Sequence, residues 1–191
     1  MAYQDDQFYI SKTLKGDLAS FGILIKKHEK YAFTLALRIL KNPEEAEEAT
    51  QDAFMKVYHS LNSFEGNSKF TTWLYKIIYH EALRRLRKNK HEWNLIEQSI
   101  PHDGVSEEFL DGIETLHESQ RKEIIKKGLE CLKGNESTVL TLFYLQEQSI
   151  KEIILITSYS ESQVKILLHR GRKNLYSVLE KITNKELMNL L

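Results

Sequence analysis

A single cysteine, Cys131, and two prolines are all that the 191 residues hold of those types. One thiol excludes an internal disulfide and fits a reducing compartment, the cytoplasm. The expected place for Cys131 is inside the fold, as a small apolar side chain. With so little proline, only 8 glycines and abundant Leu, Ile, Lys and Glu, the chain favours helices over turns and strands. No apolar run approaches the length a bilayer needs, which excludes membrane insertion. The first residues, Met1 to Asp6, are polar and acidic, the opposite of a secretory signal. The seven histidines are scattered singly, without metal-ligand spacing. There is no glycine-rich phosphate loop and no identifiable nucleophile beside a base. These absences exclude a metal site, a cofactor and an enzyme's active site.

The formal net charge is zero, but that zero is a cancellation. Residues 1–90 carry 15 Lys/Arg against 11 Asp/Glu, residues 91–120 carry 8 Asp/Glu and no Lys or Arg, and residues 121–191 carry 12 against 8. Two mildly basic segments therefore flank a strongly acidic one, and such asymmetry is more informative than its sum.

Residues 17–40 show helical periodicity through Leu18, Phe21, Leu24, Ile25, Tyr31, Leu35 and Ile39. Lys41-Asn42-Pro43 stops that helix. Asn42 then reads as an N-cap, Pro43 as a first helical residue, and Glu44 and Glu45 meet the positive end of the next dipole. The second helix runs to about Leu61 and buries Ala46, Ala49, Ala53, Phe54 and Val57. A third runs from about Lys69 to Lys88 after a short loop. Residues 91–120 lose periodicity and read as an extended linker, with one short helical stretch near Phe109 to Leu116. A break at Lys133-Gly134-Asn135 precedes helices over Ser137–Leu145, Ser149–Ile156 and about Ser160–Leu179. The expected fold is all-α: two small helical domains, residues 1–90 and 121–191, joined by an acidic linker.

Three constellations could carry function. Ser149 with Glu152 has capping-box spacing, Thr157-Ser158-Tyr159 makes a turn, and Ser160 caps a second helix that buries Val164, Leu168 and Leu175. This is a helix-turn-helix layout, whose second helix presents its first residues to the major groove. Ser160, Glu161, Ser162, Gln163 and Lys165 face base edges in that reading, while His169, Arg170, Arg172 and Lys173 hold phosphates. The second constellation is the Lys69–Lys90 helix, where six basic residues lie between Lys76 and Lys90 against Glu81 alone. Trp73, Tyr75, Tyr79 and His80 are interleaved, as on a surface for single-stranded nucleic acid. Two readings stand for Trp73, a stacking platform or ordinary core beside Phe70, Leu74 and Ile77. The third is the acidic run Glu44 to Asp52. A helix spreads those carboxylates around its axis, so they form no convergent site; they are a solvated helix start or a docking face for a basic protein surface.

The stretch from Asn42 to Phe54 and the stretch Phe64-Glu65-Gly66-Asn67-Ser68-Lys69-Phe70-Thr71-Thr72-Trp73-Leu74-Tyr75-Lys76-Ile77 closely resemble domain two of the extracytoplasmic-function (ECF) sigma factors of bacterial RNA polymerase. Ser149 to Leu175 resembles their domain four. The resemblance covers roughly residues 10–90 and 120–183, in the family's order. It implies no enzymatic activity and no cofactor; the partners it implies are core RNA polymerase, promoter DNA in duplex and single-stranded form, and an anti-sigma factor. By resemblance, Glu44, Glu45, Glu48, Gln51, Asp52 and Phe54 dock on the clamp helices of the β′ subunit. Phe64, Asn67, Ser68 and Lys69 hold a base flipped from the −10 element, and Trp73, Lys76, His80, Arg84 and Arg87 grip the opened strand. Domain four reads the −35 element through Ser160, Glu161, Ser162, Gln163, Lys165, His169, Arg170, Arg172 and Lys173, and touches the β flap. The acidic linker imitates nucleic acid on its way past the polymerase active-site cleft.

The chain departs from the family pattern at His80, where Asn is usual, at Arg84, where Asp is usual, at Ser158, more often Gly, and at Leu167, more often Arg. These positions bear on which promoter sequence is read. The charge pattern also predicts that Arg85→Ala with Arg87→Ala weakens open-complex formation more than polymerase binding. The competing reading, a stand-alone helix-turn-helix regulator with residues 1–90 as a dimerisation or effector domain, leaves the acidic linker and the Phe64–Phe70 loop without a role.

Overall fold

The computed structural model describes residues 5–88 and 118–188, all of whose regular structure is helical. The acidic linker, including the helical stretch expected near Phe109 to Leu116, lies outside the described residues. The N-terminal helices are α1 (Asp6–Leu14), α2 (Leu18–Leu40), α3 (Pro43–Ser60) and α4 (Phe70–Lys88). The C-terminal helices are α5 (Glu118–Cys131), α6 (Gly134–Leu140), α7 (Ile150–Thr157) and α8 (Glu161–Met188).

Helix boundaries follow from local chemistry. The Asn42 side chain accepts from the Glu45 N–H at 3.1 Å, and Pro43, which has no N–H to lose, takes the first helical position. Asp17 caps α2 in the same way through Ala19 and Ser20. At Ser149 both halves of a capping box form: its hydroxyl accepts from the Glu152 N–H, while the Glu152 carboxylate accepts the Ser149 N–H at 2.7 Å. Ser160 and Gln163 repeat the motif at the start of α8, with the Ser160 N–H donating to Gln163 Oε1 at 2.8 Å.

Helices α2, α3 and α4 bury Leu24, Leu35, Ala49, Val57, Leu74 and Ile78 between them. The alanines at 46, 49 and 53, all fully buried, let α3 approach its neighbours closely. Helix α1, which periodicity did not reveal, is held on α2 by Asp6, whose carboxylate meets Lys27 at 2.6 Å and His28 at 3.1 Å. Burial pushes the Asp6 carboxyl up, but the hydrogen bonds from His28 and Lys27 outweigh it and leave it below the ordinary carboxylate range. In the C-terminal half, Leu140, Leu142, Ile153, Ile156 and Val164 form the interior.

Two expectations are corrected. The break between helices falls at Leu132-Lys133, so Gly134 already opens helix α6, ahead of the expected start at Ser137, and the helix continues through one wide turn, Thr141–Leu145, where the Gln146 N–H reaches five residues back to Thr141. Cys131 is exposed, because it ends α5 on its outer side.

The two halves share one continuous hydrophobic core. Helix α4 packs against α7, and the end of α2 against α6. Among the described residues no helix is long and apolar enough to cross a membrane.

Candidate nucleic-acid interface

Helix α4 places Trp73, Lys76, His80 and Arg84 at three- and four-residue steps along one side, and an open groove of about 460 Å³ runs past them. Lys56, Ser60 and Ser63 from the end of α3 and the turn after it form the opposite wall. These three residues escaped sequence reasoning, since only the crossing of α3 over α4 brings them there. Lys76, His80, Arg84 and Arg87 are exposed. Burial, reinforced by Lys76 and Arg87, holds the His80 imidazole below its ordinary range, so it is neutral at physiological pH and able to donate and accept hydrogen bonds.

The loop before α4 is built on aromatic packing. The Phe64 ring lies 5.3 Å from Trp73 and 5.7 Å from Phe70, and Gly66 turns the chain with φ +76°. Asn67 donates to Glu65 at 2.8 Å, while Asn67 is exposed and Ser68 half-buried at the loop's tip. Trp73 is half-buried: one side packs on Phe64 and Phe70, and the rest borders the groove.

On the outer side of α3, Glu44, Glu48 and Gln51 are exposed, and Glu45 and Asp52 half-buried. Phe54 does not belong with them. It is only 7% exposed and packs inward, because it stands four residues after buried Thr50 and eight after buried Ala46, on the core side of the helix. Glu48 and Asp52 are engaged by α4: Arg85 reaches Glu48 at 2.6 Å and Asp52 at 2.5 Å, and Arg84 approaches Asp52 at 3.8 Å. Arg85 is therefore not free to act on DNA alongside Arg87.

In the C-terminal half, Ser160, Glu161, Ser162, Gln163, Lys165, His169, Arg172 and Lys173 are exposed along α8, whose opposite side buries Val164 and Leu168. Glu161 and Lys165 pair at 2.6 Å, and Arg172 Nε donates to the Leu168 carbonyl. Arg170 turns elsewhere: with Tyr159 and Leu167 it lines a cavity of about 510 Å³ between the domains, opposite Tyr79, Leu83 and Leu86 of α4. Ser158 has φ +61°, which accounts for the glycine usual there.

Polar pairs surround the apolar part of the domain contact. Lys69 meets Glu152 at 3.0 Å, Thr72 donates to Gln148 at 3.0 Å and Tyr75 to Gln146 at 2.5 Å. The wide turn after α6 is what presents these glutamines. At the other end, Lys41 donates to the Glu130 carbonyl at 2.9 Å, and the Arg38 guanidinium, 3% exposed, has its Glu130 carboxylate 3.7 Å away and two nitrogens without a hydrogen bond. The unpartnered Arg38 nitrogens are a desolvation cost that parting the domains would relieve.

Burial, with the neighbouring Arg38 charge, pushes the Lys41 ammonium down to about 8; Cys131 and Glu130 pull weakly the other way. The packed state thus binds fewer protons than the parted one between about pH 8 and 10.5. Closure is expected to tighten as pH rises through that window. An interdomain distance measured by fluorescence transfer will show it, and Lys41→Met is expected to flatten the dependence.

The chain matches the family model described as Sigma-70 region 2 over residues 24–92 and that described as Sigma-70, region 4 over residues 122–175. It is 31% identical over 172 residues to the ECF RNA polymerase sigma factor SigW of Bacillus subtilis, covering 87% of this chain and 92% of that protein. To the ECF RNA polymerase sigma-E factor of Escherichia coli K12 it is 26% identical over 174 residues, 88% of this chain and 91% of the relative. Among solved structures, CnrH in complex with the cytosolic domain of CnrY has the same fold, with TM-score 0.63 at 18% identity over 93% of this chain and 99% of that one. With nine-tenths of a sigma factor's length matched, in the same order, the chain belongs to the ECF sigma factors of bacterial RNA polymerase.

Proposed function

We propose that this chain works in the cytoplasm, directing core RNA polymerase to a subset of promoters and opening them by binding energy alone. Residues 1–90 act as domain two, 91–120 as the linker and 121–191 as domain four. Glu44, Glu45, Glu48, Gln51 and Asp52 form the face for the basic β′ clamp helices, with Phe54 supporting that face from inside. Trp73, Lys76, His80, Arg84 and Arg87 hold the −10 strand, with Phe64, Asn67, Ser68 and Lys69 around a flipped base. The α8 surface from Ser160 to Lys173 serves the −35 duplex, and domain four also meets the β flap. Family membership makes an anti-sigma factor the expected inhibitor.

One observation carries the reading: the groove in which Trp73, Lys76, His80 and Arg84 converge with Lys56, Ser60 and Ser63. Cations along a backbone path beside an aromatic face are what an unstacked strand requires. Unstacking costs a few kcal/mol per base, which contacts to the extruded base offset. The two DNA surfaces cannot serve one promoter while the domains are packed. At 3.4 Å per base pair, the roughly 25 base pairs between positions −35 and −10 span about 85 Å, whereas Lys69 and Glu152 touch.

The test is run-off transcription with purified core polymerase on a pool of promoter fragments. Discrete transcripts dependent on the added protein support the proposal. Silence, with sequence-specific duplex binding by the protein alone, supports the stand-alone regulator instead.

A further inference from the structure

Two surfaces with separate tasks share one set of ion pairs. Glu48 and Asp52 lie on the docking face of α3, yet their closest cations are Arg84 and Arg85 on the strand-gripping helix α4. Arg85 gives one nitrogen to each carboxylate, Nη1 to Glu48 and Nη2 to Asp52, and so does not form a two-pronged pair with either. Asp52 is shared further with Arg84 Nη2, while Arg84 Nε rests on Glu81. Glu81 is buried and also holds Lys56, so that inner triad is a fixed support beneath the groove. The outer pairs are different: the Glu48 and Asp52 side chains are 66% and 44% exposed. Exposed pairs of this kind are weak and change partners readily.

We propose that Glu48 and Asp52 mask Arg85 in the free chain, and that docking of a basic protein surface on the two carboxylates releases its guanidinium to the phosphates of the opened strand, while Arg84 stays on Glu81. The proposal rests on the reading of α4 as the strand surface and deepens it. Polymerase binding and strand binding become coupled through the exchange of ion-pair partners, with no change of backbone. Each event favours the other, as a coupling between two sites must. The arrangement also weakens the unattached factor's hold on nucleic acid, since Arg85, at the basic end of α4 with Arg87 and Lys88, is neutralised until a partner arrives.

The experiment measures anisotropy of a short labelled single-stranded oligonucleotide against the full chain, without polymerase, across a salt series. Glu48→Gln with Asp52→Asn is compared with Glu44→Gln with Glu47→Gln, which changes charge equally on the same helix but touches neither arginine. One released cation is expected to steepen the log–log salt slope by about 0.7 and raise low-salt affinity severalfold. The control pair is expected to give only the small rise due to net charge. Adding Arg85→Gln to the first variant is expected to cancel its gain. Equal gains in the two pairs overturn the masking. The same Glu48/Asp52 variant is expected to bind core polymerase less tightly, and unchanged affinity for core overturns the release step. If Trp73→Ala with Lys76→Ala leaves strand binding of the unmasked variant untouched, the reading of α4 as the strand surface fails instead.

Discussion

A covalent tether between positions 69 and 152 is expected to abolish promoter-dependent initiation while leaving both domains folded. Lys69→Cys and Glu152→Cys, in a Cys131→Ser background that removes the exposed native thiol, can be bridged by a short bis-maleimide, because the native side chains meet at 3.0 Å. The bridged protein retains each proposed DNA surface but keeps the two domains packed. Full activity of the bridged protein would show that packing of the domains is irrelevant to initiation. The opposite change comes from Gly134. A Cβ there would lie 3.3 Å from the Arg38 carbonyl oxygen and 3.6 Å from that of Ile39, both backbone atoms that cannot swing aside. Gly134→Val therefore overpacks the junction, at about 1–3 kcal/mol, which shifts the balance toward parted domains by roughly 5- to 150-fold. Less protein should then be needed for half-maximal initiation.

Trp73→Ala with Lys76→Ala is expected to reduce open-complex formation by about 10- to 100-fold, with core polymerase affinity nearly unchanged. Base–aromatic stacking contributes about 1–3 kcal/mol per base, and Lys76 is exposed beside the ring at the groove. Permanganate reactivity of unpaired thymines reads opening directly, and co-elution with core enzyme reads docking. A comparable loss in both would mean that Trp73, which packs on Phe64 and Phe70, serves the fold and not the strand.

Much of this was legible in the chain because the deciding interactions are local. Asn42 and Pro43 start α3 through contacts three residues long, and the Ser149–Glu152 box is closed within one turn. The helix-turn-helix and the basic face of α4 follow from such spacings. What escaped depends on distance along the chain. Helix α1 is held by Asp6 through partners 21 and 22 residues away. The domain junction is made by Thr72, Tyr75, Gln146 and Gln148, polar residues that carry no periodic signal of burial. Leu167, where the family more often has Arg, faces that junction beside Leu83 and Leu86; an apolar side chain fits there, and the departure reflects domain packing as much as promoter choice. Cys131 was misplaced for a related reason: which side of a helix faces the core is decided by its neighbours, and residue type alone does not reveal that. Phe54 is buried as its periodicity indicates, and only the docking role given by resemblance put it on the surface.

In the proposed reading, the packed domains carry the two DNA surfaces and separate on polymerase. Fluorescence transfer between labels at Asn67→Cys, in the loop before α4, and Lys173→Cys, on α8, in the Cys131→Ser background, measures that separation directly. High transfer in the free protein, falling sharply when core polymerase is added, is the predicted result. Low transfer in the free protein, or no change on adding core enzyme to a protein that co-elutes with it, would contradict the account.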